Sequence, residues 1–343
     1  MSKRTLVGLW KANVPPGIWM YIPFWIGAII LALDGKAPEW GTLILFMITM
    51  IVLTSIAEFA NKYADREEDW LYWPSNPLTT GELDVGAARR AFILQNALAG
   101  ALIIALLLVT QNYGLIIAMI VGWLAALTYS VPPFRFKETL VGPLVVAVGD
   151  ALLPVVAWLV VAPGNSYIMA FSIFCFVFTV GVGITVKLRK TYHAYDRGLI
   201  QVDQGKSIYD LPTVGFGLSV RISAILEIVL TLTAFALVGV FWYTGMLDMP
   251  ISVALLSLPL VLALLAVVLR IMKPLDNGPK CALFFGASWI FVIISLFVVG
   301  LVEVLPWGMI LLACVVYAIG GPLLFRTIHP VRLKAIKAPW QEM

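Results

Sequence analysis

One stretch of this sequence places a carboxamide and two carboxylates at intervals of four residues: Asn61, Asp65 and Asp69. If a helix runs through them, the three side chains lie on one face, one turn apart. Carboxylate oxygens combined with substrate phosphates are a usual way for proteins to hold Mg²⁺. The spacing therefore predicts a magnesium site. A solvated acidic helix end, neutralised by Lys62 and Arg66, is the alternative interpretation.

A second acidic pair follows a basic run later in the chain. Asp196 and Asp203 are seven positions apart, about two helical turns, so they too can share a helix face. The residues before them include Lys187, Arg189 and Lys190. Cations beside carboxylates suit a metal–diphosphate complex, in which the cations contact oxygens that the metal bridges. A charged loop at a membrane surface is the alternative interpretation.

The elements that must position these groups are membrane-spanning helices. Hydrophobic residues make up 61% of the 343 positions and charged residues 12%, whereas a soluble domain carries about 25% charged residues. Apolar runs of roughly twenty residues recur along the whole chain, each long enough to cross a bilayer as a helix. The predicted fold class is all-α, a polytopic transmembrane helical bundle of about nine to ten spans, forming one domain over residues 1–343.

The spans are expected at residues 17–34, 41–60, 89–109, 113–130, 140–162, 167–187, 219–244, 250–271, 281–303 and 306–325. The first apolar run ends at Asp34 and another span soon follows, which favours a retained first helix over a cleaved signal peptide.

Basic residues predict the orientation, because cytoplasmic loops carry an excess of Lys and Arg. With the spans above, only Lys36 of the 23 Lys and Arg falls on the far side. Both termini and two long loops, residues 61–88 and 188–218, are therefore expected to be cytoplasmic. Loops of that length are uncommon in a compact bundle unless they are functional. Both acidic clusters belong to this compartment, which allows them to face each other.

The same residues constrain other functional classes. The net charge of +4 is accounted for by membrane orientation, so no nucleic-acid partner is predicted. The three cysteines are isolated within apolar runs and give neither a metal-ligand spacing nor a disulfide framework. Asp150 and Glu227 lie inside predicted spans, where ionisable groups are costly and are functional candidates. A secondary transporter with these acids as coupling sites is one alternative, although the two halves show no convincing repeat.

Five segments, taken in order, form a recognisable series. They are Asn61-x-x-x-Asp65-x-x-x-Asp69 with Arg66 after its middle aspartate, residues 76–82, residues 129–137, Tyr195-Asp196 with Asp203, and residues 211–217. This series resembles the UbiA superfamily of intramembrane prenyltransferases over roughly residues 10–220, and the last segment is similar to the chlorophyll synthase-like branch. The second segment is similar to the family's RPLxSG, with Asn76 where the family usually has Arg. The third is close to its YSxPPxRxK.

The resemblance implies an enzyme that uses Mg²⁺ to ionise an allylic prenyl diphosphate and transfers the prenyl group to a lipophilic acceptor. The acceptor class could be aromatic, tetrapyrrole, carotenoid or lipid, and membrane lipid is a further expected partner. A terpene cyclase with the same metal–diphosphate site is the nearest alternative.

The resemblance also implies roles for individual residues. The implied metal ligands are Asn61, Asp65, Asp69, Asp196 and Asp203. The implied catalytic residues are Asp65, Asp69, Asp196 and Asp203, with Asp150 as a general base or cation stabiliser. The implied substrate-binding residues are Asn61, Lys62, Arg66, Tyr129, Arg135, Lys137, Arg189, Lys190, Tyr195 and Lys206. For Asp150, a neutral, hydrogen-bonded carboxyl beside Pro154 is the alternative.

Overall fold

The described part of the chain is helical almost throughout. This computed structural model describes residues 3–13, 15–67, 69, 76–202 and 207–302, with 304–306, 309, 310, 312–317 and 319. The helices are α1 (Lys3–Ala12), α2 (Pro15–Leu33), α3 (Trp40–Ala64), α4 (Val85–Thr110), α5 (Tyr113–Ser130), α6 (Gly142–Leu159), α7 (Ser166–Asp196), α8 (Val220–Tyr243), α9 (Met249–Leu255), α10 (Leu258–Met272) and α11 (Gly278–Val302). Short 3-10 turns lie at Phe136–Glu138 and Ile208–Asp210. The described residues contain no strand, so the all-α prediction is confirmed.

The prediction of a polytopic membrane protein is confirmed for the described residues. Eight helical segments there are long and apolar enough to cross a membrane, with α9 and α10 counted as one segment. The first predicted span corresponds to the shorter apolar helix Ile18–Leu33 within α2. Half of the predicted tenth span, residues 306–325, lies outside the described residues.

The span predicted at residues 250–271 is confirmed by the apolar segment Met249–Met272, although it contains a break, whereas the end predicted for the sixth span was wrong. The span predicted at residues 250–271 is interrupted between α9 and α10, because Pro259 at the start of α10 lacks a backbone N–H and disfavours a continuous helix. Helix α7 continues to Asp196, beyond its predicted end at residue 187, so residues 188–196 are helix and not loop. Hydropathy marks where the apolar residues end, whereas backbone hydrogen bonding carries this helix further.

Side-chain caps define where several helices begin. Asp84, Asn112, Asn165, Ser219 and Asp248 each accept a hydrogen bond from the backbone N–H three residues later. Such a cap satisfies one of the N–H groups that have no partner in the first turn, and it contributes about 1 kcal/mol. Because each cap precedes an apolar run, the sequence itself sets these helix starts.

The chain divides into two compact units. The first comprises the described residues of Met1–Ile22, Ala37–Pro133 and Leu305–Met343. In this unit α3 packs against α4 and α5, and α1 packs against α3. Near the end of α3, Phe59 and Tyr63 both stack with Phe92 of α4, at centroid distances of 6.0 Å. These rings support the last turns of α3, where the first acidic motif begins.

The second unit comprises the described residues of Pro23–Lys36 and Phe134–Val304, in which α7 packs against α6, α8 and α11. Its interior holds buried aromatic rings with neighbouring centroids 5.4 to 6.5 Å apart: Phe24, Phe171, Phe174, Phe178, Phe235, Phe285 and Trp289. Helices α2 and α11 approach closely where Gly27 meets Leu296, because a Cβ on Gly27 would lie 2.7 Å from the Leu296 carbonyl oxygen. Small residues permit such helix crossings in membranes.

Candidate active site

The end of α3 presents the first acidic motif in regular turns. The backbone N–H of Asp65 donates to the carbonyl of Asn61 at 2.9 Å, and the N–H of Asp69 donates to the carbonyl of Asp65 at 2.8 Å. The four-residue hydrogen-bond spacing therefore continues through the motif, although α3 itself ends at Ala64. The Asp65 side chain is buried. Asn61, Asp65 and Asp69 are thus one hydrogen-bonded turn apart.

Asn76 connects this motif to the segment that follows it through side-chain hydrogen bonds. The side chain is fully buried, and its Nδ2 donates to Asp69 Oδ2 at 2.7 Å and to the Lys62 carbonyl at 2.9 Å. Its Oδ1 accepts a hydrogen bond from the backbone N–H of Leu78 at 3.0 Å. Asn76 therefore orients the Asp69 carboxylate. The sequence comparison had identified Asn76 only as the loss of an expected arginine.

Two further contacts stabilise the first motif. Ser130 Oγ donates to Asn61 Oδ1 at 3.3 Å, and Thr79 Oγ1 donates to the Arg66 carbonyl at 2.9 Å. The Arg66 guanidinium itself donates to the Tyr63 carbonyl and to Glu67 Oε1, both at 2.9 Å. Arg66, predicted to bind substrate, is thus engaged by its own neighbours, while Lys62 beside it is buried.

The second acidic motif stands at the carboxyl end of α7. This helix ends at Asp196 because Gly198 adopts a φ of +71° and the N–H of Leu199 bonds back to the Ala194 carbonyl at 2.9 Å. The prediction that Asp196 and Asp203 share a helix face was therefore wrong, since the helix stops between them. Asp196 and Tyr195 are exposed. Asp203 and Lys206 lie outside the described residues.

A tight turn before α6 carries two of the predicted cations. Arg135 adopts a left-handed conformation with φ 43°, and its Nε pairs with Glu138 Oε1 at 2.6 Å. Gly142 lies against this turn, because a Cβ there would be 2.7 Å from the Phe136 carbonyl oxygen. Lys137, which lies between Arg135 and Glu138 in the sequence, is buried. The turn therefore holds the Lys137 backbone in a fixed position.

Three lysines gather around that turn: Lys137, Lys190 and Lys187. Burial lowers the pKa of Lys137 to about 8; the positive charges of Lys190 and Lys187 act in the same direction, and the Glu138 carboxylate acts against them. Lys187 is only 5% exposed, and within the described residues its ammonium forms no hydrogen bond or ion pair. Sequence reasoning placed Lys187 in a basic run but gave it no role.

The segment at residues 211–217 explains how Lys187 is enclosed. It forms a tight turn in which the N–H of Thr213 donates to the Leu218 carbonyl at 2.7 Å. The N–H of Val214 donates to Thr191 Oγ1 at 2.9 Å, which docks the turn on α7. Gly215, with φ +64°, lies so close that a Cβ there would be 3.0 Å from Lys187 Nζ. A side chain at this position would displace the ammonium.

The ligand chemistry of the first motif fits Mg²⁺. Asn61, Asp65 and Asp69 supply amide and carboxylate oxygens, which are hard ligands suited to this cation. Asn76 orients one of the carboxylates. Within the described ranges, no group of three or more His, Cys, Asp and Glu side chains is assembled tightly enough to hold an ion alone. Proteins usually hold Mg²⁺ through one or two carboxylates together with substrate phosphates.

The sequence matches the model of the UbiA prenyltransferase family over residues 20–289, well over half of the chain. The chain belongs to the UbiA prenyltransferase family. The predicted family and enzyme class are thereby confirmed. The similarity to the chlorophyll synthase-like branch stays a prediction. A sequence search of curated proteins gave no match.

Solved structures share the UbiA fold with this chain. One comes from work on digeranylgeranylglyceryl phosphate synthase in membranes, with a TM-score of 0.63, 14% identity, and coverage of 87% of this chain and 99% of that one. A UbiA homologue from Archaeoglobus fulgidus bound to GPP and Mg²⁺ gives 0.59 at 15% identity, covering 83% and 99%. The same homologue bound to DMAPP and Mg²⁺ gives 0.58 at 16%, covering 83% and 98%. At such low sequence identities, the TM-scores show a shared fold and nothing beyond it.

In this UbiA family member the intramembrane acids have distinct surroundings. Asp150 is half-buried on α6. Glu227 is fully buried on α8 and pairs with Arg270, with Nε to Oε2 at 2.8 Å. Arg221, six positions before Glu227, lies 3.8 Å from Asp210 at an exposed position.

The remaining predicted residues of this UbiA enzyme lie at helix ends. Tyr129 is in the last turn of α5, while Arg189 and Lys190 are on the final turns of α7, with Arg189 exposed and Lys190 half-buried. Within the first unit the structure brings together Asn61, Asp65, Asp69 and Asn76. Within the second it brings together Lys137, Lys187 and Lys190.

Proposed function

We propose that this protein is an Mg²⁺-dependent intramembrane prenyltransferase that ionises an allylic prenyl diphosphate and transfers the prenyl group to a lipophilic acceptor. The observation that carries the proposal is the hydrogen-bonded ladder of Asn61, Asp65 and Asp69, with Asn76 orienting its last carboxylate. Membership of the UbiA prenyltransferase family supplies the reaction class. The GPP and DMAPP complexes of the A. fulgidus homologue, both with Mg²⁺, support the donor and the metal.

In the proposed site, carboxylates bind the metal and lysine ammonium groups bind the diphosphate. Asn61, Asp65 and Asp69 would hold Mg²⁺, and Asp196 and Asp203 are proposed as further metal ligands. When bound, Mg²⁺ neutralises the negative charge that develops on the departing diphosphate. The ammonium groups of Lys137 and Lys187 would donate hydrogen bonds to phosphoryl oxygens. Both lysines are buried, so their interactions with an anion are weakly screened and strong.

The reaction begins when the allylic carbon–oxygen bond breaks and its electron pair leaves with the diphosphate. The allylic carbon then forms a bond to the acceptor, and the acceptor's proton must be removed. We propose Asp150 as the base that receives it, because a carboxylate at membrane depth is rarely present without a function. The other predicted substrate ligands, namely Lys62, Arg66, Tyr129, Arg135, Arg189, Lys190, Tyr195 and Lys206, stay proposals of the same kind.

We further propose that both termini and the acidic loops are cytoplasmic. The described ends of α3, α7 and α10 and the starts of α4, α8 and α11 carry the basic residues. The connections at residues 111–112, 160–165 and 244–248 contain no Lys or Arg. This distribution follows the positive-inside rule.

Product analysis tests the proposed function. The purified protein, incubated with allylic prenyl diphosphates, Mg²⁺ and an extract of lipophilic metabolites, is expected to release diphosphate and to form a prenylated acceptor detectable by mass spectrometry. Without the extract, transfer products should be absent. A cyclic hydrocarbon or alcohol formed from the donor alone would instead identify a cyclase, and an unconsumed donor would contradict the proposal.

Replacing Asn76 by Ala is expected to raise the Mg²⁺ concentration needed for half-maximal activity by about tenfold or more, because partners that orient metal ligands typically contribute 10–100-fold. A Mg²⁺ titration at saturating donor checks this. Thr80→Val in the same turn is the matched control, since its hydroxyl donates to the Pro77 carbonyl at 3.4 Å and not to a residue of the acidic motif among the described residues. An unchanged midpoint in Asn76→Ala would show that orienting Asp69 is unimportant.

The ionisation of Lys137 predicts that activity falls as the pH rises. Its pKa is lowered to about 8, so the free enzyme loses this positive charge as the pH rises through that value. The ratio kcat/KM for the donor, which reports ionisations of the free enzyme, is expected to fall above pH 8. In Lys137→Arg the charge persists, since the guanidinium pKa exceeds about 12, and the fall should vanish. The same descending limb in both proteins would exclude Lys137 as its cause.

A further inference from the structure

In the second unit, a buried ion pair has more polar contacts than neutralising its two charges would require. Arg270 contacts Glu227 through two nitrogens: Nη2 donates a hydrogen bond to Oε1 at 3.2 Å, and Nε lies 2.8 Å from Oε2 as an ion-pair contact. Neither side chain has exposed surface. Thr185 Oγ1 on α7 donates to the same Oε1 at 2.7 Å. The three residues join α7, α8 and α10 through one carboxylate.

Stability alone does not account for such a pair. Burying two charges costs solvation energy that their attraction barely offsets, and replacing both by apolar residues of similar volume is often neutral or stabilising. The best-attested role of buried polar and ionic groups is to set the register between the helices that they join. The contacts around Glu227 and Arg270 indicate that α7 is the helix whose position they fix.

The ion pair contacts α7 directly, through a hydrogen bond from a residue of that helix. Thr185, which donates to Glu227, lies two positions before Lys187 and four positions before Arg189. Residues four apart lie one above the other on a helix. The carboxylate of Glu227 therefore holds α7 immediately before its basic final turns.

The ion pair also contacts α7 indirectly, through the turn between α10 and α11. Arg270 Nη1 donates to the carbonyl of Pro274 in this turn. At the end of the turn, Gly278 lies against α7, because a Cβ on Gly278 would be 3.3 Å from Tyr192 Cβ and 3.7 Å from Arg189 Cα. Leu275, between them, is fully buried in the apolar cluster that contains Leu188 and against which Tyr192 packs. Arg270 thus fixes the surface on which the end of α7 rests.

We propose that Glu227 and Arg270 are positioning residues, which set the register and rigidity of residues 185–196 and thereby the placement of Lys187, Arg189 and Asp196. This inference rests on the proposed function for the role of those three residues. The hold on α7 itself is a property of the fold and can be measured separately.

The decisive variant replaces both charges, as Glu227→Met with Arg270→Met. Apolar side chains of similar length leave no uncompensated buried charge, so the double variant is expected to keep a melting temperature close to that of the wild type. The amides of residues 185–196 are expected to exchange with deuterium about tenfold faster, while those of α5 remain unchanged. The KM for the prenyl diphosphate is expected to rise about tenfold, with a smaller change in kcat.

A matched control removes the exposed pair of α8 instead. Arg221 and Asp210 are 3.8 Å apart and both more than half exposed, so Arg221→Met with Asp210→Asn should leave exchange and KM unchanged. Wild-type exchange and KM in the stable Glu227→Met, Arg270→Met variant would overturn the proposal.

Milder variants decide the matter if the double variant does not fold. Thr185→Val removes the hydroxyl that donates to Glu227 Oε1 at 2.7 Å and contacts the Gly181 carbonyl of its own helix at 3.2 Å. Gly278→Ala places a Cβ 3.3 Å from Tyr192 Cβ. Each is expected to accelerate exchange of residues 185–196 and raise KM, and no change in either variant would overturn the proposal. A wild-type protein that does not consume the donor would contradict the proposed function alone, because exchange still reports on the ion pair.

Discussion

Replacing Asp65 by Asn is expected to lower the rate of prenyl diphosphate consumption by about a thousandfold. The substitution keeps the shape of a buried side chain but removes the negative charge that would bind the metal. Removing one fixed electrostatic stabiliser of a transition state typically costs about 10²–10³ in rate. The melting temperature should change little, because the Asp65 N–H bond to Asn61 belongs to the backbone. Diphosphate release at saturating Mg²⁺ is the measurement.

Glu67→Gln provides the matched control for Asp65→Asn. Glu67 belongs to the same acidic run, but its side chain is 81% exposed and pairs with Arg66. The same loss of one charge at this position is expected to leave the rate within about twofold of the wild type, since exposed pairs contribute little. Near-wild-type activity in Asp65→Asn, with Mg²⁺ present, would remove Asp65 from the site.

Asp196→Asn is expected to reduce turnover by about a hundredfold or more for the same electrostatic reason. Asp196 is the last residue of α7 and is exposed, so the substitution should not affect folding. The loss should appear in single-turnover experiments with bound donor, which isolate the chemical step from product release.

Asp210→Asn is the control for the second motif. Asp210 is an exposed acid in the same connection, and its distance to Arg221 is 3.8 Å. A large loss in Asp210→Asn together with none in Asp196→Asn would mean that the second acidic motif had been assigned to the wrong residues.

The apolar spans were readable from the sequence because hydropathy and capping act locally. Asn112 and Asn165, for example, begin α5 and α7 where apolar runs start. The end of α7 was not readable in this way, because its final turns are charged and are held by tertiary contacts such as Val214 with Thr191. The break between α9 and α10 was not predictable from hydropathy, because the run on both sides of Pro259 remains apolar.

The candidate site was only partly predictable for a related reason. The ladder of Asn61, Asp65 and Asp69 depends on helical spacing, which sequence supplies. The partner of Glu227 is Arg270, 43 positions away, and no local pattern joins the two. Lys187 becomes distinctive only when the turn at Gly215 encloses it. Contacts between distant segments decide such roles.

In the proposed function, carboxylates and buried lysines at helix ends bind the metal and the diphosphate of a prenyl donor. Asn76 and the Glu227–Arg270 pair then act by holding those ends in place. The account requires that donor binding depend on both the metal and the acidic motifs.

Calorimetric binding of an unreactive thiolodiphosphate analogue of the prenyl donor tests this requirement most directly. The account predicts tight binding with Mg²⁺, loss of most of the affinity when EDTA removes the metal, and comparable loss in Asp65→Asn and Asp196→Asn. Affinity that is the same with and without Mg²⁺, and unaltered in both variants, would contradict it.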